Sequence, residues 1–134
     1  MLVAVNMIAC HSSKVTSNIP VIEKGNSKYL NGSWQLQMLF ASDNKWDKPP
    51  VLNINFGEKT ISGNDGCNSF GGKFIIKENY FAIDKQIIST KMVCTINYTK
   101  AFMSVLLKIN KYTITSNELE LGQGEIVLMK FTKK

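Results

Sequence analysis

The sequence predicts an α+β domain: a mostly antiparallel curled sheet or partial β-barrel packed against one α-helix. Three observations predict it. From Tyr29 onward, short runs alternate apolar and polar residues and are separated by Gly, Asn and Ser turn signals. A single stretch, residues 97–110, instead repeats its apolar residues at helical spacing. The chain has 134 residues, 44% hydrophobic and 19% charged, which is enough for one domain with its own core.

The first clear strand is built on Leu52, Ile54 and Phe56, which alternate with Val51, Asn53 and Asn55. Gly57-Glu58 then turns the chain toward Thr60-Ile61. Phe74-Ile75-Ile76 and Tyr80-Phe81-Ala82-Ile83 flank Lys77-Glu78-Asn79, a hairpin turn. In residues 97–110, Tyr98, Phe102, Val105, Leu106 and Ile109 fall on one stripe, which reads as core. Thr95 or Asn97 is placed to cap that helix, and Lys108 and Lys111 to complement its C-terminal dipole. Near the end, KYTIT and ELEL are joined by Ser116-Asn117. Gly122-Gln123-Gly124 then leads into EIVLMKFT, where Ile126 and Leu128 are expected to face opposite to Val127, Met129 and Phe131. Some of Phe56, Phe74, Phe81 and Phe131 are expected inside, filling the core or lining a small apolar cavity.

The net charge is +6, but all 16 cations are lysine and none is arginine. Arginine is the residue that forks onto phosphate and guanine, and the lysines here are scattered rather than clustered. The charge therefore reads as a solvated lysine surface, with no nucleic-acid partner.

The N-terminus reads MLVAVNMIACHSSK. An apolar stretch ends abruptly at Cys10, with the small Ala9 before it, as at the end of a bacterial lipoprotein signal peptide. The stretch is short and has no basic start. Residues 1–10 are thus expected to be a leader ending at the lipidation cysteine Cys10, and residues 11–28 a flexible polar tether carrying the single histidine, His11. Residues 29–134 form the domain. Assigning Cys10 to lipid leaves Cys67 and Cys94 as an even pair, either bridged in an oxidising compartment or buried as free thiols.

The most chemical-looking stretch is ISGNDGCNSFGG, residues 61–72. A phosphate-binding loop requires Gly, four residues, then Gly-Lys-Ser/Thr, whereas here Cys67 and Phe74 occupy two of those positions. An EF-hand lacks its closing glutamate, and zinc and Cys-x-x-Cys redox sites lack ligands at the needed spacing. What remains is backbone geometry. Gly63, Gly66, Gly71 and Gly72 permit positive φ or close approach, while Asn64, Asp65 and Asn68 make local turn hydrogen bonds.

Three ordered motifs carry a family resemblance. They are Leu30-x-Gly32-x-Trp34, then Gly63-Asn64-Asp65-Gly66-Cys67-Asn68 running to Gly71-Gly72, and Ser89-Thr90-Lys91-Met92-Val93-Cys94 before a helix. Together they resemble the META domain, of the kind found in the HslJ family of heat-inducible lipoproteins. Lys91 stands where arginine is usual and Val93 where alanine is usual. The resemblance covers about residues 29–134. It implies a compact, mostly antiparallel β-domain with one helix, often lipid-anchored in the bacterial envelope and associated with envelope stress. It implies no enzymatic mechanism; the family's similarity to a lipid-binding secretion pilot protein is an analogy of fold.

The functional expectation is a non-catalytic envelope lipoprotein domain, binding or scaffolding, held at a membrane through Cys10. It has no catalytic residues, cofactor or metal, and its partner is an envelope protein or an acyl chain. The alternatives are an enzyme using Cys67/Cys94 thiol chemistry or acid–base work by Asp65 and Asp84, and a nucleic-acid binder with a basic β-surface. A cysteine nucleophile generally needs a base, and no histidine follows His11.

Overall fold

A computed structural model of the chain describes residues 26–95 and 98–134. The leader, the lipidation cysteine Cys10, most of the tether and the Asn97 cap lie outside those residues.

A 3₁₀ turn, Ser27–Leu30, opens the domain and buries Leu30. Nine strands follow: β1 (Gly32–Leu39), β2 (Val51–Asn55), β3 (Thr60–Asn64), β4 (Ser69–Lys77), β5 (Tyr80–Ile83), β6 (Ile88–Ser89), β7 (Lys111–Ile114), β8 (Glu118–Gln123) and β9 (Ile126–Lys133). Among the described residues one α-helix, α1 (Tyr98–Leu106), lies between β6 and β7 in the chain. Every strand pairing is antiparallel, in the order β3-β2-β1-β9-β8-β7-β5-β4, and β3 also pairs with β4. The sheet is therefore a closed eight-stranded barrel, more complete than the partial barrel expected. β6 hangs outside the ring on β4.

Strand β4 makes this arrangement possible. Its first half, from Ser69 to Lys73, pairs with β3, while Phe74 to Lys77 pair with β5. Because β5 peels away there, the flank of Phe70 and Gly71 is left for β6. Gly63 in β3 serves the closure: a Cβ there would collide with the carbonyl of Val51 across the ladder.

The interior is filled by side chains from all sides. Phe74, Phe81 and Phe131 are buried as expected, Phe74 packing on Phe81 with ring centroids 4.9 Å apart and Phe81 on Tyr112 at 5.9 Å. Burial pushes the Tyr112 phenol above its ordinary pKa. Helix α1 contributes Phe102 and Leu106, both fully buried, with Ile109 just beyond its end. Phe102 meets Phe70 of β4 at 5.9 Å.

Phe56 is only half-buried, and the ammonium of Lys59 sits 3.4 Å over its ring. Two local expectations change. Leu128 joins Met129 and Phe131 in the core, because a bulge against β8 and its Leu121–Gly122 step shifts the alternation of β9 there. Lys111 opens β7 and pairs with Glu125 at 3.3 Å, so it does not serve the helix terminus.

Candidate functional site

The Leu30-x-Gly32-x-Trp34 motif forms the entrance to β1. Trp34 is fully buried, and its Nε1–H donates to the carbonyl of Leu30 at 2.8 Å. Gly32 has φ +125°, a conformation that strains any residue with a Cβ. The side chain of Lys133 crosses that open spot, placing Nζ 4.5 Å from the Trp34 ring and donating to the carbonyls of Asn31 (2.5 Å) and Tyr29 (3.4 Å). This motif is a structural clasp between the first and last strands.

The glycine-rich stretch is the β3–β4 connection. Asp65 is 5% exposed, and one carboxylate oxygen, Oδ1, accepts from the amides of Cys67 (2.9 Å) and Asn68 (2.6 Å). Asn64 Oδ1 accepts from Gly66 N–H at 2.8 Å. Gly66 has φ +102°, and a Cβ there would lie 2.5 Å from Cε2 of Tyr98. The loop is thus shaped to receive the start of α1. Tyr98 in turn stacks edge-on against Trp46 at 4.9 Å, and its hydroxyl donates to the carbonyl of Lys48 at 2.9 Å.

The main chain of Asn68 makes local turn bonds with Asp65, as expected, but its side chain does not. Its Oδ1 reaches across to residues 88–94, accepting from the hydroxyl of Thr90 (3.0 Å) and the amide of Met92 (2.6 Å). The Thr90 amide donates to the carbonyl of Ser69 at 3.0 Å, and the Ser69 amide to the Thr90 hydroxyl at 3.1 Å. One residue from Asn68, Cys67 is joined to Cys94 by a disulfide with Cα atoms 6.1 Å apart, which decides between the bridge and two free thiols. Ser89, Thr90, Lys91 and Met92 therefore form a strap along the outside of the barrel. Its inner contacts are made by Asn68 and Thr90, and its far end is fixed by the disulfide.

The outer face of the strap is apolar and cationic. Ile88 is 82% exposed, Met92 64% and Val93 fully, and Lys91 is exposed as well. Beside it, an open groove of about 800 Å³ runs between the first half of β4 and residues 84–90, with Gly71 and Gly72 in its wall. Ile87 leans over Gly72, its Cδ1 only 2.6 Å from where a Cβ would stand.

The carboxylates weighed for acid–base work are not brought together. Asp65 follows the Asn64–Ser69 pair at one end of the β3–β4 ladder, whereas the Asp84 amide binds Lys73 at its other end. Asp84 Oδ1 accepts from the amide of Gln86 at 2.9 Å. Among the described residues, no three His, Cys, Asp or Glu side chains are grouped to hold a metal ion.

Two solved structures share this fold. An NMR structure of a protein from Burkholderia xenovorans superposes with a TM-score of 0.62 at 18% identity, covering 81% of this chain and 86% of that one. A crystal structure of a DUF4847-family protein from Bacteroides vulgatus gives a TM-score of 0.57 at 14% identity, covering 79% and 94%. At those identities the likeness is one of fold. No curated protein matches the chain. The family model of the META domain matches residues 27–134, from the 3₁₀ turn that clasps Trp34 to the last residue of the chain, and with all three motifs in place this chain belongs to the META domain family.

Proposed function

We propose that this protein is a non-catalytic binding module of the bacterial cell envelope, exported and held at a membrane by lipid on Cys10. The observation that carries the reading is the Cys67–Cys94 bridge. A disulfide that organises a surface strap persists in an oxidising compartment, and export is the usual route there. Binding rather than catalysis is supported by how the polar groups of the site are used. Asp65 Oδ1 and Asn68 Oδ1 accept from main-chain amides, and the two domain cysteines are joined to each other instead of standing beside a base. The aromatic packing of the interior favours a surface partner, an envelope protein, over an acyl chain enclosed by the barrel. The lysine-rich surface adds attraction to anionic lipid, about 1 kcal/mol for each Lys near the bilayer.

Mass spectrometry of the native protein tests the anchoring. The expected species begins at a diacylated Cys10 and fractionates with membranes, since multiple acyl chains anchor stably where a single one does not. An unmodified Cys10 with its upstream residues retained overturns it.

A further inference from the structure

We propose that the strap is a docking edge that takes up an extended, acidic polypeptide segment as an added β-strand. The hydrogen-bond register points to this occupant. Ile88 pairs with Gly71 and Ser89 with Phe70, while the Thr90 amide donates to the carbonyl of Ser69. In an antiparallel ladder, main-chain groups point alternately toward and away from the neighbour. Ile88 and Thr90 face β4, so the N–H and C=O of Ser89 face away from it. Beyond β6 the same alternation is kept by a side chain: the Met92 amide turns inward to Asn68 Oδ1, so Lys91 presents its N–H and C=O outward. Ser89 and Lys91 are both exposed and lie two residues apart, the spacing at which an incoming strand forms its bonds.

The side chains say what that strand carries. Ile88 and Met92 offer an exposed apolar surface beside the groove. Residues 84–95 contain two exposed lysines, Lys85 and Lys91, against one exposed acid, Asp84, and Lys73 of β4 also lines the groove. Acidic residues alternating with apolar ones in the incoming segment satisfy both features. A second copy of this chain fits less well, because it would bring together two straps that each carry Lys85 and Lys91, with only Asp84 beside each to offset them. Nor does the chain's own N-terminus fit, since residues 1–22 contain no Asp or Glu. The disulfide and Asn68 hold the edge in strand register before binding, which lowers the ordering cost on association.

The proposal deepens the binding reading above and is independent of lipidation, so its failure leaves the Cys10 mass measurement untouched. The probe is an acetylated hexapeptide alternating valine and glutamate, titrated into the full ¹⁵N-labelled chain. Binding should shift the amides of Ser89 and Lys91 and weaken as salt is added. Ser89→Pro deletes an outward donor while leaving the β4 pairing intact, and should weaken binding roughly tenfold. The same peptide N-methylated at alternate amides should lose a similar factor on the unaltered chain, which keeps the test independent of how the proline variant folds. Lys91→Glu should cost about two- to fivefold. The proposal is overturned if N-methylation has no effect, if a valine–lysine peptide binds as well, if shifts map elsewhere, or if millimolar peptide does not bind. Self-association of the full chain that Ser89→Pro abolishes would assign the edge to a second copy and also overturn it.

Discussion

The two sides of this barrel are held by different means. On one side, β1, β9 and β8 run alongside each other in long main-chain ladders, β8 and β9 pairing from Glu118 to Gln123 and β1 and β9 from Trp34 to Leu39. On the other, β5 meets β7 at the single pair Tyr80–Lys111, made by the two main-chain bonds that flank it, from Phe81 to Asn110 and from Tyr112 to Asn79. The strap, set against the opposite end of β4 from that seam, has only two residues of regular strand, and Asn68, Thr90 and the disulfide fix the rest. Main-chain ladders make a wall that opens only with the whole fold. Side-chain staples make a surface that opens locally and at lower free energy.

Truncating the wall should produce the largest effect. Trp34→Ala removes a fully buried indole, its bond to Leu30 and the platform beneath Lys133. A loss of roughly 3–5 kcal/mol is expected, large enough to unfold a marginal domain outright. Denaturant titration followed by tryptophan-independent far-UV signal would check this. Hydrogen exchange should rise in β1, β8 and β9 together, and a rise confined to β1 would contradict the description of that side as one cooperative unit.

Removing the disulfide tests the other side. Cysteines 27 positions apart close a loop worth about 3.5 kcal/mol in the chain-entropy model, less any residual order in the unfolded chain. The double variant Cys67→Ser, Cys94→Ser should lower global stability by about 2–4 kcal/mol. Its native-state exchange, by contrast, should rise first in residues 90–95 and leave the β8–β9 amides protected relative to the new global limit. Uniform loss of protection across both sides would erase the distinction drawn here. Thiol titration of the denatured, unreduced protein provides the direct count: no free thiol at Cys67 or Cys94 is expected.

The sequence was most legible where alternation and burial agree. Leu52 and Ile54, Phe81 and Ile83, and Leu119 and Leu121 announced their strands, and Phe102, Leu106 and Ile109 their shared stripe, because each repeats its apolar residues at the period of its element. Ring closure was not legible: the β3–β4 pairing is a local hairpin, but β5–β7 rests on one long-range pair with no pattern of its own. The exposure of the strap had no mark in the sequence, since Ile88, Met92 and Val93 are apolar yet face solvent. At the site, turn chemistry identified Asn64 and Asp65 correctly, since their bonds lie within three residues. Asn68 spends its acceptor on Thr90 and Met92, a contact that propensity cannot report. The clasp by Lys133 was equally hidden, because its partners Tyr29 and Asn31 lie at the other end of the domain.

The smallest effect should come from Asn68, and it sharpens the contrast most. Here one oxygen replaces a main-chain acceptor, holding Thr90 and Met92 as a neighbouring strand would. Asn68→Ala leaves both donors without that acceptor and should cost about 1–3 kcal/mol, toward the lower end because the strap is exposed and water can take over. Asn68→Asp retains an oxygen at the same position and should recover most of that loss. The Met92 amide should report the difference: slow exchange in the parent and the aspartate variant, fast exchange in the alanine variant, with β8 and β9 unchanged in all three. If alanine leaves Met92 protected, the disulfide alone holds the strap, and the side-chain ladder described here contributes nothing to it.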